Sequence, residues 1–142
     1  MENLIHLDTH VAVWLYAGRL DLFSKTALEE IEQNDLLVSP VVELEIQQLF
    51  ETGRLSVRPE TVFAELETSV GLRKCNLDFT KVVWKSLRMT WTRDPFDRII
   101  AAQASLAGAR LLTKNRIILA NCPFAFWTSL SDASLPSALS SL

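Results

Sequence analysis

Four carboxylates and one amide in this 142-residue chain stand where short apolar runs give way to helices. Asp8 closes the run Leu4-Ile5-His6-Leu7, and Glu45 lies in the helix expected after Leu36-Leu37-Val38-Ser39. Asp94 and Pro95 open a helix whose first turn carries Asp97, and Asn115 follows the run Arg110-Leu111-Leu112-Thr113. In an open parallel sheet the functional crevice lies outside the carboxyl ends of the strands. Oxygen-only donors gathered there suit Mg2+ or Mn2+ rather than zinc. Such an ion can activate water and stabilise charge on a phosphodiester. Each residue alone has a plainer reading. Asp8 can cap the next helix, Glu45 can be a surface residue with Glu43 as its competitor, and Asp97 can be a favourable charge at a helix N-terminus. The set carries more than its members.

The elements that must position these residues are marked by their ends. Asp94 is an N-cap and Pro95 a first-turn proline, and the helix they open runs through Ile99, Ile100, Ala101, Ala102 and Ala104 to Gly108. Other helices are expected from Val11 to near Gly18, from Ser24 to Asn34, from Pro40 to Gly53, from Pro59 to Gly71, from Phe79 to Met89, and from Lys114 to Ala120. Strands are expected at 4–8, 36–39, 72–77, 110–113 and 124–127. Strands alternating with helices imply a parallel sheet covered on both faces, an α/β fold. In the 79–89 helix Phe79, Val83 and Leu87 share one face, and Lys81, Lys85 and Arg88 share the other. We expect one domain over residues 1–127 and a Ser/Ala/Leu-rich tail over 128–142.

A chain of this length, 49% hydrophobic, buries a core without staples. Two cysteines make no disulfide framework, and no apolar run approaches a membrane span. With no basic leader at Met1–His6, these features point to the cytoplasm and to no membrane role. The net charge of −3 is unevenly spread. Residues 1–72 hold 4 basic against 13 acidic side chains, whereas residues 73–116 hold 10 basic against 3 acidic. Such a basic segment can meet phosphate or an acidic partner, or can be a solvated face.

With these residues in view, the chain resembles the PIN domain, specifically the VapC-type toxin ribonucleases. The resemblance rests on Leu7-Asp8-Thr9-His10, Val38-Ser39 with Glu45-Ile46 and Gly53-Arg54-Leu55, Asp94-Pro95-Phe96-Asp97-Arg98 through Ala104, and Leu112-Thr113-Lys114-Asn115. It implies a three-layer α/β/α PIN-like fold around four or five parallel strands. It also implies cleavage of RNA with Mg2+ or Mn2+, a homodimer, and a cognate antitoxin. Carried over by residue, Asp8, Glu45 and Asp97 match the catalytic, metal-holding acids. Asp94 matches an acid near the pocket mouth, and Thr113 matches a hydroxyl supporting the first acid. Asn115 occupies the position of a fourth acid, a weakened metal position with one negative charge fewer. The alternative this raises is a PIN-like module that binds RNA or antitoxin with little or no cutting.

Beside such a pocket the basic residues gain a possible task. Lys81, Lys85, Arg88, Arg93, Arg98, Lys114 and Arg116 are candidates for contacts to RNA phosphates, which position a strand without reading it. His6 and His10 lack a base-and-nucleophile partner and are not expected to be catalytic. A phosphatase of the Asp-x-Asp kind is excluded because Asp8 is followed by Thr9-His10.

Overall fold

The computed structural model describes residues 3–128. The expected tail therefore lies outside the described residues, apart from Thr128. Strand β1 (Leu4–Leu7) enters directly into helix α1 (Thr9–Tyr16), with Asp8 as the cap between them. A 3-10 turn at Leu20–Leu22, unanticipated from sequence, leads to α2 (Lys25–Gln33), which Ser24 caps by accepting from the Ala27 N–H at 3.0 Å. Then come β2 (Asp35–Val38), α3 (Val41–Glu51), α4 (Pro59–Val70) and the two-residue β3 (Arg73–Lys74). The chain continues through α5 (Phe79–Ser86), α6 (Pro95–Ala107), β4 (Arg110–Leu112), α7 (Arg116–Asn121) and β5 (Ala125–Phe126).

All five strands are parallel, in the order β3-β2-β1-β4-β5. The chain builds outward from β1 to β3, then crosses back to place β4 and β5 on the other side. The order thus reverses at β1, and the crevice between the carboxyl ends of β1 and β4 is the switch point. Helices cover both faces, so the central strands bury apolar residues on either side: Ile5, Leu7, Val38, Leu111 and Leu112 are fully enclosed. Helix α6 buries Ile100, Ala101, Ala102 and Ala104, and its alanines give little bulk between helix and sheet. Gly108 ends it at φ 68°, a left-handed cap in which a side chain would be strained.

The expected helix at 79–89 is corrected in two respects. Regular helix ends at Ser86, because the Arg88 and Met89 N–H groups bond three residues back, to Lys85 and Ser86, and the tightened turn brings Met89 into the core. Its buried residues are Val82 and Ser86, whereas Phe79, Trp84 and Leu87 are 65%, 55% and 57% exposed. The strand expected at 72–77 shrinks to Arg73–Lys74, and the last helix starts at Arg116 because Asn115 is spent as its cap.

One core residue is anomalous. His6, on the central strand, is wholly buried, and neither ring nitrogen has a hydrogen-bond partner. Burial lowers its pKa from 6.5 to about 4, since the charged form loses its water. Its contribution to stability is complete above pH 6.5 and is lost as pH falls toward 4, amounting to about 3 kcal/mol at most. In urea titrations, the stability difference between wild type and His6→Leu should therefore shift in favour of the variant across that window. A difference independent of pH contradicts this reading.

Candidate active site

Asp8 is 7% exposed and has both carboxylate oxygens engaged. Its Oδ1 accepts from the Thr9 N–H at 2.8 Å, which opens α1. Its Oδ2 accepts from the Thr113 hydroxyl at 2.6 Å, and the Asp8 N–H donates to the Leu112 carbonyl at 3.1 Å. The first acid is thereby fixed to both strands of the switch point. Thr113, fully buried, in turn accepts from the Asn115 N–H at 3.0 Å. The Thr9 hydroxyl donates to Glu45 Oε1 at 2.5 Å, linking α1 to α3. Asp94 caps α6, its Oδ1 accepting from the Phe96 N–H at 2.8 Å and the Asp97 N–H at 3.3 Å.

These elements enclose a cavity of about 400 Å3. Asp8, Glu45, Asp94 and Asp97 give it four carboxylates, and His10, Val11 and Trp14 from α1 line it with Lys114 and Asn115 from the segment after β4. The carboxylates repel one another through a medium poor in water. Asp97 is pushed up to about 7, mainly by burial, then by Asp94, Asp8 and Glu45. Glu45 is raised too, chiefly by burial; the Thr9 hydroxyl opposes the rise, Asp8 and Asp94 add to it, and His10 opposes it. Four carboxylates thus share the cavity with one lysine, Lys114.

The donor set fits a hard divalent ion: carboxylate oxygens dominate, and no thiol lines the cavity. A cation would relieve the repulsion that raises Asp97. Among the described residues, however, no three His, Cys, Asp or Glu side chains stand as a ready-made coordination cluster.

Asn115 contributes differently from an acid. Its Oδ1 accepts from the Ile117 and Ile118 N–H groups at 2.9 and 3.1 Å, capping α7. The oxygen is committed, and the residue brings no charge to the cavity. Of the basic candidates, Lys114 lines the cavity, and Arg93 lines an adjoining groove that shares Glu45 and Asp94 with it. Arg54, not singled out from sequence, lines that groove too. Lys81, Lys85, Arg88, Arg98 and Arg116 line neither; Arg88 lies over the Trp84 ring at 4.1 Å, and Arg98 donates to the Thr92 carbonyl at 2.8 Å.

Sequence reasoning missed Thr9 as the bridge to Glu45 and did not mark Trp14 as a site residue. The signal was available: α1 starts where β1 ends, so its first two turns must border the crevice. The 10, 11 and 14 positions share one helical face.

The family model described as PIN domain matches residues 5–122. No curated protein matches the chain significantly. Among solved structures, a chain of VapBC2 from Rickettsia felis, bound to a DNA fragment from its promoter, is 16% identical with a TM-score of 0.63; the match covers 87% of this chain and 96% of that one. A chain of a toxin-antitoxin complex from Klebsiella pneumoniae is 22% identical with a TM-score of 0.63, covering 86% and 95%. One from DNA-bound VapBC of Salmonella typhimurium is 17% identical with a TM-score of 0.51, covering 88% and 96%. At these identities the likeness to the three is one of fold.

Proposed function

The chain belongs to the PIN domain family, and on that premise we propose that it is a metal-dependent ribonuclease, the toxin of a toxin–antitoxin pair. PIN domains are generally nucleases. The observation that carries the reading is the gathering of Asp8, Glu45, Asp94 and Asp97 around one cavity at the switch point; burial first, then the neighbouring acids, pushes Asp97 up to about 7. Asp8, Glu45 and Asp97 would hold Mg2+ or Mn2+. Bound there, the ion supplies positive charge that offsets the charge developing on the phosphodiester. The chain's own residues do the positioning. Thr113 and Thr9 lock Asp8, Thr9 holds Glu45, and Asp94 fixes the helical turn that carries Asp97. Lys114 in the cavity and Arg93 in the adjoining groove are the foremost phosphate contacts; Lys81, Lys85, Arg88, Arg98 and Arg116 extend the basic surface.

A second reading is favoured by Asn115, whose oxygen caps α7 and whose side chain adds no charge. It is a PIN-like module that binds RNA or antitoxin with little cutting. Purified wild type, Asp97→Asn and Asn115→Asp, incubated with RNAs of varied structure and Mg2+ or Mn2+, separate the two. The ribonuclease reading expects cleavage by wild type and a loss of about a hundredfold or more in Asp97→Asn. Cleavage by Asn115→Asp alone selects the second reading, and equal activity in wild type and Asp97→Asn contradicts the metal site.

The antitoxin partner is supported by the fold shared with chains of toxin–antitoxin complexes. Cytoplasmic location is supported by two buried free cysteines, and no helix among the described residues is long and apolar enough to cross a membrane. We assign residues 1–127 to the catalytic domain. A homodimer is supported by the apolar face of α5, where Phe79, Val83, Trp84 and Leu87 lie exposed together. Light scattering should give a dimer mass for wild type and a monomer mass for Phe79→Glu/Leu87→Glu; a monomeric wild type contradicts this assignment.

A further inference from the structure

The acids do not account for the whole lining of the cavity: His10, Val11 and Trp14 line it too, groups that no Mg2+ or Mn2+ site requires.

Trp14 is braced from behind. Its ring meets Phe23 at 6.4 Å and 85° and Trp127 at 6.2 Å and 75°, both edge-to-face contacts. Phe23 and Trp127 are themselves buried, and the Ser24 hydroxyl donates to the Trp127 carbonyl at 2.5 Å, tying that support to the α2 cap. A ring held this way loses little freedom when a planar ligand stacks on it. His10 is exposed, 6.1 Å from Trp14 and tilted by 48°. That spacing is too narrow to sandwich a base between the two rings, so His10 is left to meet a base at its edge. Lys114 Nζ sits 5.9 Å from both the Trp14 and Trp127 ring centres. Among the described residues it has no ion pair, although four carboxylates line the same cavity. Lining the cavity beside Trp14, it is placed to meet a phosphate that enters there.

We propose that His10, Trp14 and Lys114 form a nucleotide subsite, in which the base beside the scissile phosphate stacks on Trp14 and its own phosphate meets Lys114. This rests on the ribonuclease reading and adds the residues that would hold the strand; because a base paired in a helix cannot be splayed onto a ring, the subsite takes an unpaired nucleotide. Stacking on one aromatic contributes about 1–3 kcal/mol per base and tolerates any base, so the subsite holds the strand more than it reads it.

The test measures binding apart from cleavage. A fluorescent single-stranded RNA and a ribose-phosphate oligomer of equal length without bases are titrated in Ca2+ against wild type, Trp14→Leu, Trp14→Tyr and His10→Ala. Wild type should bind the intact RNA roughly tenfold to a hundredfold more tightly than the abasic one. In Trp14→Leu that ratio should collapse to near one, and Trp14→Tyr, which keeps a ring, should restore most of it. Thermal melts identify a variant that fails to fold, in which case Trp14→Tyr and His10→Ala decide: a ratio reduced by His10→Ala and kept by Trp14→Tyr supports the subsite. Equal affinities for intact and abasic RNA in wild type overturn it and leave this wall to a protein partner. A parallel incubation in Mg2+ or Mn2+ reports cleavage. Base-dependent binding without cleavage therefore sinks the ribonuclease reading alone, and cleavage without base-dependent binding sinks the subsite alone.

Discussion

A single run of hydrogen bonds holds the centre of this protein in register: Asn115 N–H to Thr113, Thr113 hydroxyl to Asp8, Thr9 N–H to Asp8, and Thr9 hydroxyl to Glu45. It joins the cap of α7, the end of β4, the end of β1, the start of α1 and the middle of α3. Asp8, Thr9 and Thr113 are buried, so each polar group there is costly unless bonded, and each is bonded. The carboxylate that nucleates the site is thus also a joint between strands. The same economy appears at Asp94, which caps α6 and lines the cavity.

The site works against the fold that carries it. Three helix N-termini, those of α1, α6 and α7, border the cavity through Asp8, Asp94 and Asn115. Their positive ends partly offset the acids. The offset is incomplete, since Asp97 still rises to about 7. As its pKa in the fold exceeds the ordinary 3.8, Asp97 favours folding at low pH and opposes it increasingly as pH climbs through 7. Stability held in reserve at an active site is a common exchange for function.

Much of this was legible in the chain. Asp94-Pro95 and Gly108 bounded α6, Ser24 and Asn34 bounded α2, and apolar runs between helices announced a parallel sheet whose carboxyl ends would carry the acids. The misreadings have physical causes. Helical periodicity tells which side of residues 79–89 is apolar, but not whether this chain covers that side. The apolar face at Phe79, Val83 and Leu87 is open, and the burial passes to Val82, Ser86 and Met89. Trp14 was not marked as a site residue because α1 is largely apolar, yet its position beside the switch point gives the ring a cavity to line while it packs against the core. Charge counting marked residues 73–116 as basic, but only the fold selects Lys114 as the member that lines the acid cavity. Asn115 was visible as a missing acid; that its oxygen is consumed by a helix cap was not.

The central claim is that crowded carboxylates at the switch point await a divalent cation. Urea unfolding of wild type and Asp97→Asn at pH 8, first in chelator and then in millimolar Mn2+, tests it most directly. In chelator Asp97→Asn should be the more stable by roughly 1–3 kcal/mol, after allowance for solvent screening. Mn2+ should then stabilise wild type by mass action and leave the variant nearly unchanged, narrowing or reversing the order. A variant no more stable than wild type in chelator, together with a wild type indifferent to Mn2+, would contradict the account.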